Sequence, residues 1–264
     1  MKIIFFGCTN FSKRVLDAIS TIENIEIAAI FTIPEYFSIS YSEKPIRNTN
    51  YFDFNESAKK LRIPIFQVDS VEGKKINDYK EFIQIINPDI ILVMGWYYMV
   101  PKSIRDLAKY GAWGIHASLL PNYAGGAPLV WAIIEGQKKT GVSLFKLSSG
   151  VDDGDIIRQK SFSIEETDTI KEVYEKATDA SCDILIDILK DESKIIFYPQ
   201  DKSKIKIYPQ RSPDDGEIDW NWDVVTINNF IRAQTKPYPG AWFKFNNKKI
   251  VIWSADVHEV VNGN

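Results

Sequence analysis

The sequence predicts an α/β fold: a Rossmann-like, mostly parallel sheet with helices on both faces, followed by a small, mainly β C-terminal domain. Three observations carry this. The chain opens on an apolar run, Lys2 to Phe6, that ends in the turn Gly7-Cys8-Thr9-Asn10 and passes into residues 12–19, where Val15, Leu16 and Ile19 share one helical face. A second apolar run, Ile25 to Thr32, follows at once, and strand, helix, strand in that order is the repeating unit of a parallel sheet. The stretch Asp89 to Met94 (DIILVM) is a continuous apolar run, the pattern of a central strand buried on both faces.

The remaining elements follow in chain order. Pro34 to Phe54 has neither a helical nor a strand period, and loops of this length inside compact domains are uncommon and often functional. It carries Tyr36, Phe37, Tyr41, Tyr51 and Phe52 with Lys44 and Arg47. Such a loop is either a packed surface insertion or a cradle for a nucleotide, with rings for the base and cations for the phosphates. Residues 57–61 continue as helix and 63–66 as a short strand; Asn77 to Ile86 is amphipathic at helical spacing. Beyond Met94 comes Gly95-Trp96-Tyr97-Tyr98-Met99. Ligands of open α/β sheets bind outside the carboxyl ends of strands, so this cluster either lines a pocket for a flat heterocycle or packs as core. Pro101 suits a helix start, predicting a helix over 102–109, and Ala112 to Ile115 is the next strand, with His116 at its end. A glycine turn at 125–126, a strand over 141–147, the acidic turn Asp152-Asp153-Gly154-Asp155, a strand over 161–164 and an amphipathic helix over 168–190 complete the α/β part. From Asp201 the texture changes to short apolar or aromatic segments between turns, with Pro237-Tyr238-Pro239-Gly240 as a strong turn and one helix over 224–233. The domain reading is therefore 1–200 and 201–264. No repeats or low-complexity tracts occur.

Composition narrows the function classes. The 264 residues are 45% hydrophobic and 25% charged, with a net charge of -3, which gives no global reason to expect nucleic acid as a partner. Two cysteines, Cys8 and Cys182, lie far apart in apolar or helical contexts, which fits a reducing cytoplasm better than a disulfide. The opening MKIIFFG is too short for a signal peptide, and no apolar run approaches the length of a membrane span. No cluster with metal-ligand spacing is present. The opening turn also lacks G-x-G-x-x-G, so a dinucleotide fingerprint is absent.

The chemistry centres on Gly111 to Arg158. His116 is one of only two histidines, and it stands at a strand end with an acidic turn later in the same stretch. A pairing of His116 with Asp152 suits proton transfer, the neutral imidazole acting as base. Asp153 and Asp155 read as solvated turn carboxylates. Ser118 reads as a loop hydrogen-bonder, and His258 lies outside any motif.

Three motifs in combination, Gly-Ile-His116-Ala-Ser118-Leu119-Leu120-Pro121, Gly125-Gly126-Ala127-Pro128 and Gly150-Val151-Asp152-Asp153-Gly154-Asp155, resemble the 10-formyltetrahydrofolate-dependent formyltransferases. That family includes methionyl-tRNA formyltransferase, glycinamide ribonucleotide formyltransferase and the sugar N-formyltransferases. The stretches from Arg211 to Trp220 and from Ile231 to Ala241 resemble its longer members. The resemblance implies that 10-formyltetrahydrofolate is the formyl donor and that His116 and Asp152 are catalytic. The family's third catalytic residue, an Asn two positions before the His, is replaced by Gly114, which leaves open another donor, a weak enzyme or a non-catalytic binding homologue. Folate is expected against Trp96, Tyr97, Tyr98, Met99, Gly150 and Asp155, and the acceptor against Thr9, Tyr36, Tyr41, Lys44, Arg47 and Tyr51. Residues 201–264 hold nine Lys/Arg and eight Asp/Glu, with no basic stripe for a phosphate backbone. By resemblance the acceptor is therefore a nucleotide-linked amino deoxysugar destined for surface polysaccharide such as O-antigen, with methionyl-tRNA as the alternative. A homodimer contact through Trp220, Trp222 and Trp242 is a further expectation.

Overall fold

The computed structural model describes residues 1–38, 44–68 and 71–258. In chain order the elements are β1 (Lys2–Gly7), α1 (Asn10–Ile19), β2 (Glu26–Thr32), β3 (Tyr36–Phe37), β4 (Ile46–Arg47), α2 (Asn55–Leu61), β5 (Ile65–Gln67), α3 (Lys80–Ile86), β6 (Ile90–Met94), α4 (Lys102–Arg105) and β7 (Ala112–His116). They continue with β8 (Ala124–Gly125), α5 (Pro128–Ile134), β9 (Lys139–Lys146), β10 (Ile156–Ser163), α6 (Ile170–Leu189), β11 (Ile207–Tyr208), α7 (Val224–Gln234), β12 (Ala241–Phe245) and β13 (Lys248–Ile252).

Seven strands form one sheet in the order β10-β9-β7-β6-β1-β2-β5. The pairs β1–β2, β2–β5, β1–β6 and β6–β7 are parallel, and β9 runs antiparallel to β7. The mostly parallel sheet matches the sequence reading. The central strand β1 keeps Ile3, Ile4, Phe5 and Phe6 fully buried, which is why its run is unbroken rather than alternating. Strand order reverses between β1 and β6, and that is where an open α/β sheet forms its ligand crevice.

The chain divides into two compact units. One comprises Met1–His116, Ser143–Gln159 and Ser181–Gln200; the other comprises Ala117–Val142, Lys160–Ala180 and the chain from Asp201 on. The core of the first gathers Ile4, Phe6, Phe31, Ile83, Ile91 and Ile104. In the second, Ile218, Phe230, Ile231 and Ala241 form the core, with Ile134, Trp222 and Ile252 against it. Its β12–β13 hairpin turns through Asn246 and Asn247, both at positive φ, as a two-residue hairpin loop requires.

Several local expectations shift. The helix after Pro101 stops at Arg105: Asp106 N and Leu107 N close its last turn on Lys102 O and Ile104 O, and Lys109 N and Tyr110 N then donate to Pro88 O and Asp89 O, which feeds the chain into β7. The amphipathic stretch before Ile86 is 3₁₀ over Val71–Tyr79 and α-helical only from Lys80. The stretch 34–54 is not wholly irregular: β3 and β4 pair antiparallel within it. Of the tryptophans expected at a dimer contact, Trp220 is exposed; Trp242 is buried with Nε1 donating to Pro213 O, and Trp222 packs on Phe230. Among the described residues no helix is long and apolar enough to cross a membrane.

Candidate active site

β7 delivers His116 at its carboxyl end, buried to 8% exposure, and antiparallel pairing sets Ser143 of β9 opposite it. The turn between β9 and β10 brings Asp152 to it: His116 Nδ1 lies 3.4 Å from Asp152 Oδ2. This lies at the long end of hydrogen-bonding distance. The turn is tightly specified. Asp152 sits in the left-handed region at φ +49°, uncommon for a residue with a side chain. Lys146 N donates to Asp155 O at 2.9 Å, and a Cβ on Gly154 would fall 1.8 Å from Lys146 O, so only glycine fits there. Asp153 accepts from Ser148 Oγ, and a Cβ on Gly150 would meet the Asp153 carboxylate at 2.4 Å.

Gly114, two residues before His116, has its open side covered. A Cβ there would stand 2.9 Å from Leu147 Cδ2 and 3.4 Å from Phe145 Cε1. The end of Leu147 thus occupies the space into which a side chain at 114 would project.

The carboxyl ends of β1 and β6 interlock. Thr9 caps α1, its Oγ1 accepting from Ser12 N at 3.2 Å, and Ser12 Oγ donates to Met94 O at 2.5 Å. Gly95 takes φ +60° beneath Thr9, where a Cβ would fall 2.3 Å from Thr9 Oγ1. Cys8 is fully buried here, its Sγ 3.0 Å from Gly95 O, and burial pushes the thiol up to about 12. Asn48, 3% exposed, ties the loop after β4 to this junction. Its Nδ2 donates to Cys8 O at 3.0 Å, and its Oδ1 accepts from Tyr97 Oη at 3.1 Å.

The sequence-derived site residues fall into three groups. His116 and Asp152 meet, and Gly150 and Asp155 lie on the turn that carries Asp152. Trp96 packs on Phe6, and Tyr98 is buried with Oη donating to Ser38 O, whereas Tyr97 and Met99 are exposed, at 41% and 63%. Thr9 is buried in its cap and bridges Tyr51, whose phenol burial pushes up. Tyr36 is exposed and is the cross-strand partner of Arg47, which pairs with Glu35 at 2.8 Å; Lys44 is exposed. Tyr41 lies outside the described residues. Leu147 and Gln200 are not legible in the sequence. Gln200 reaches the Asp152 turn from 48 positions away. Asn48 had a weak signal, a polar residue inside an aromatic loop. Among the described residues no group of three His, Cys, Asp or Glu side chains could hold a metal ion.

Comparison with known proteins gives a consistent result. The profile described as formyl transferase matches residues 1–189, and that described as formyl transferase, C-terminal domain, matches residues 211–264. The methionyl-tRNA formyltransferase of Caldanaerobacter subterraneus subsp. tengcongensis is 30% identical over 98% of this chain and 82% of its own length. Among solved structures, a 4-N formyltransferase from Francisella tularensis aligns with TM-score 0.72 and 16% identity, covering 98% of both chains. WlaRD, a sugar 3N-formyl transferase solved in the presence of dTDP and 5-N-formyl-THF, aligns with TM-score 0.67 and 18% identity, over 95% of this chain and 84% of that one.

Proposed function

Because the chain belongs to the formyl transferase family and is a formyl-transferring enzyme, we propose that it moves a formyl group from 10-formyltetrahydrofolate to the amine of a nucleotide-linked amino deoxysugar. The observation that carries the chemistry is the contact between His116 and Asp152 at the end of β7. The acceptor class is supported by the near-neutral C-terminal segment, with its nine cations against eight anions.

The residues present fit a folate. Tyr97 and Met99 offer exposed aromatic and thioether surface beyond β6, at the sheet position where α/β folds bind ligands, with Trp96 and Tyr98 packed behind them. Gly150 and Asp155 belong to the same reading through the turn that carries Asp152. When bound, the folate supplies an activated formyl carbon. The acceptor amine would attack that carbon and give up a proton to His116, and the ring would return the proton to the folate nitrogen as the bond from that nitrogen to the formyl carbon breaks, so that tetrahydrofolate leaves. Asp152 on Nδ1 holds the ring so that Nε2 receives the proton, and its charge stabilises the imidazolium that results. The acceptor's binding residues in this reading are Thr9, Tyr36, Tyr41, Lys44, Arg47 and Tyr51. Of these, the structure shows Tyr36 and Lys44 exposed, Arg47 exposed beside Glu35, and Tyr51 half-buried.

A second reading, methionyl-tRNA as acceptor, is favoured by the relatives of that name at about 30% identity over nearly the whole chain. One assay separates the two. Purified protein and 10-formyltetrahydrofolate are offered a panel of nucleotide-linked amino sugars and, separately, methionyl-tRNA, with His116→Ala as control and mass spectrometry as readout. A single formyl added to one sugar and lost in the variant supports the proposal. Formylation of the tRNA alone replaces it.

A further inference from the structure

Gln200 is the residue outside the motifs with the most direct hold on the catalytic turn. Its Nε2 donates to two backbone carbonyls of that turn, Asp152 O at 2.8 Å and Gly154 O at 2.7 Å. Both hydrogens of one amide are therefore spent on a three-residue span. The opposite amide orientation would set Oε1 against two carbonyl oxygens, so the direction of the side chain is dictated. Oε1 is buried and has no hydrogen-bond partner among the described residues. Leaving an acceptor unpaired is unfavourable, so the double donation is the interaction that holds the amide in place.

The backbone of Gln200 is itself anchored. Ile156 and Tyr198 exchange two hydrogen bonds, Ile156 N to Tyr198 O and Tyr198 N to Ile156 O, both 2.8 Å. That pair fixes the start of β10 on one side and sets Gln200 two residues beyond Tyr198. The turn from 147 to 155 is thus gripped at its base by Lys146 N on Asp155 O and at its tip by Gln200. The gripped residue, Asp152, has φ +49°, a conformation that a side-chain-bearing residue leaves readily unless its surroundings hold it.

We propose that Gln200 is a positioning residue for formyl transfer. Its amide holds the left-handed backbone of Asp152 and thereby keeps the carboxylate on His116. The inference rests on the proposed roles of His116 and Asp152. It requires only that the pair acts in the reaction, whichever acceptor is used.

The test is a cycle of four proteins: wild type, Gln200→Met, Asp152→Asn and the double variant. Methionine keeps the volume and removes both donors. The expected result is a kcat about 10-fold lower for Gln200→Met, the scale of effect that small misplacement of a catalytic group produces, with KM for both substrates within about 2-fold. In the Asp152→Asn background the same substitution should change kcat less than about 2-fold, because its route of action is already gone. An equal factor in both backgrounds, or no effect in the wild type, overturns the proposal. Gln200→Asn, one methylene too short to span both carbonyls, should behave like Gln200→Met and serves where the methionine variant does not fold. A second readout needs no substrate: the side-chain nitrogen resonances of His116, assigned against His116→Ala, one of only two histidines. In Gln200→Met they should move towards their positions in Asp152→Asn; unchanged resonances overturn the proposal. A protein inactive on every acceptor whose His116 resonances still move in this way refutes the functional reading and retains the positioning role.

Discussion

Gly114→Asn tests how the space near His116 is filled at the position where the family resemblance implies an asparagine. A Cβ at 114 would lie 2.9 Å from Leu147 Cδ2, well inside ordinary van der Waals distance, and 3.4 Å from Phe145 Cε1. Leu147 is half-buried against the core of its unit, so it must swing or the strand must shift. Overpacking of this kind costs about 1–3 kcal/mol. Replacing a strand glycine returns about 0.5–1 kcal/mol through the unfolded chain. The expected net loss is about 0–2.5 kcal/mol, read as a lower urea midpoint at constant slope. Leu147→Ala removes the obstructing atoms. In the wild-type background it should cost about 1–2 kcal/mol, because a half-buried isobutyl group no longer packs on the core, and in the Gly114→Asn background markedly less. The coupling expected from this cycle is about 1 kcal/mol or more. Additivity within about 0.5 kcal/mol would refute the claim that Leu147 fills the space above Gly114. Activity gives a second reading of the same pair. If the introduced amide reaches the formyl oxygen as charge develops there, kcat of the double variant should exceed that of Leu147→Ala by about 10²-fold.

Other outcomes follow from the same geometry. His116→Ala should lower kcat by about 10²–10⁴-fold with an unchanged urea midpoint, checked by steady-state formyl transfer and denaturation on one preparation. Burial raises the Cys8 thiol from 9.0 to about 12 in the folded chain, so the folded state favours the neutral form and its contribution is complete below pH 9. Stability should then fall as pH rises from about 9 towards 12, by up to about 1.4 kcal/mol per unit, and Cys8→Ala should lose this part of the slope; an identical slope in both proteins would contradict the assignment. Asn48→Ala removes one of the two donors to Cys8 O, which keeps the Phe52 amide, and the acceptor of the Tyr97 Oη hydrogen bond, and should cost about 1–3 kcal/mol while exposing the 34–54 loop to limited proteolysis. A variant as protease-resistant as the wild type would remove Asn48 from its anchoring role.

Some of this molecule was readable residue by residue. The runs Lys2 to Phe6 and Asp89 to Met94 are strands because two-sided burial demands unbroken apolar sequence, and both are central in the sheet. The start of α1 was visible because capping is a matter of neighbours three apart, Thr9 and Ser12. The candidate pair was legible for a different reason: His116 and Asp152 each stand inside a dense local motif, and the motifs together pointed to one family. The helix predicted over 102–109 ends at Arg105, and Lys109 and Tyr110 spend their amides on Pro88 and Asp89, a choice made by long-range pairing rather than local period.

What the tertiary structure alone decided is how the pair is held and what surrounds it. No periodicity reports that Gln200 crosses 48 positions to donate to Asp152 O, that Asn48 closes the loop onto Cys8, or that Leu147 covers Gly114. Sequence patterns encode which face of a segment is apolar and where a segment can turn, because those are properties of adjacent side chains and backbone. Which polar groups meet across the fold depends on strand register and on turns such as 147–155, where a shift of one residue would change every partner.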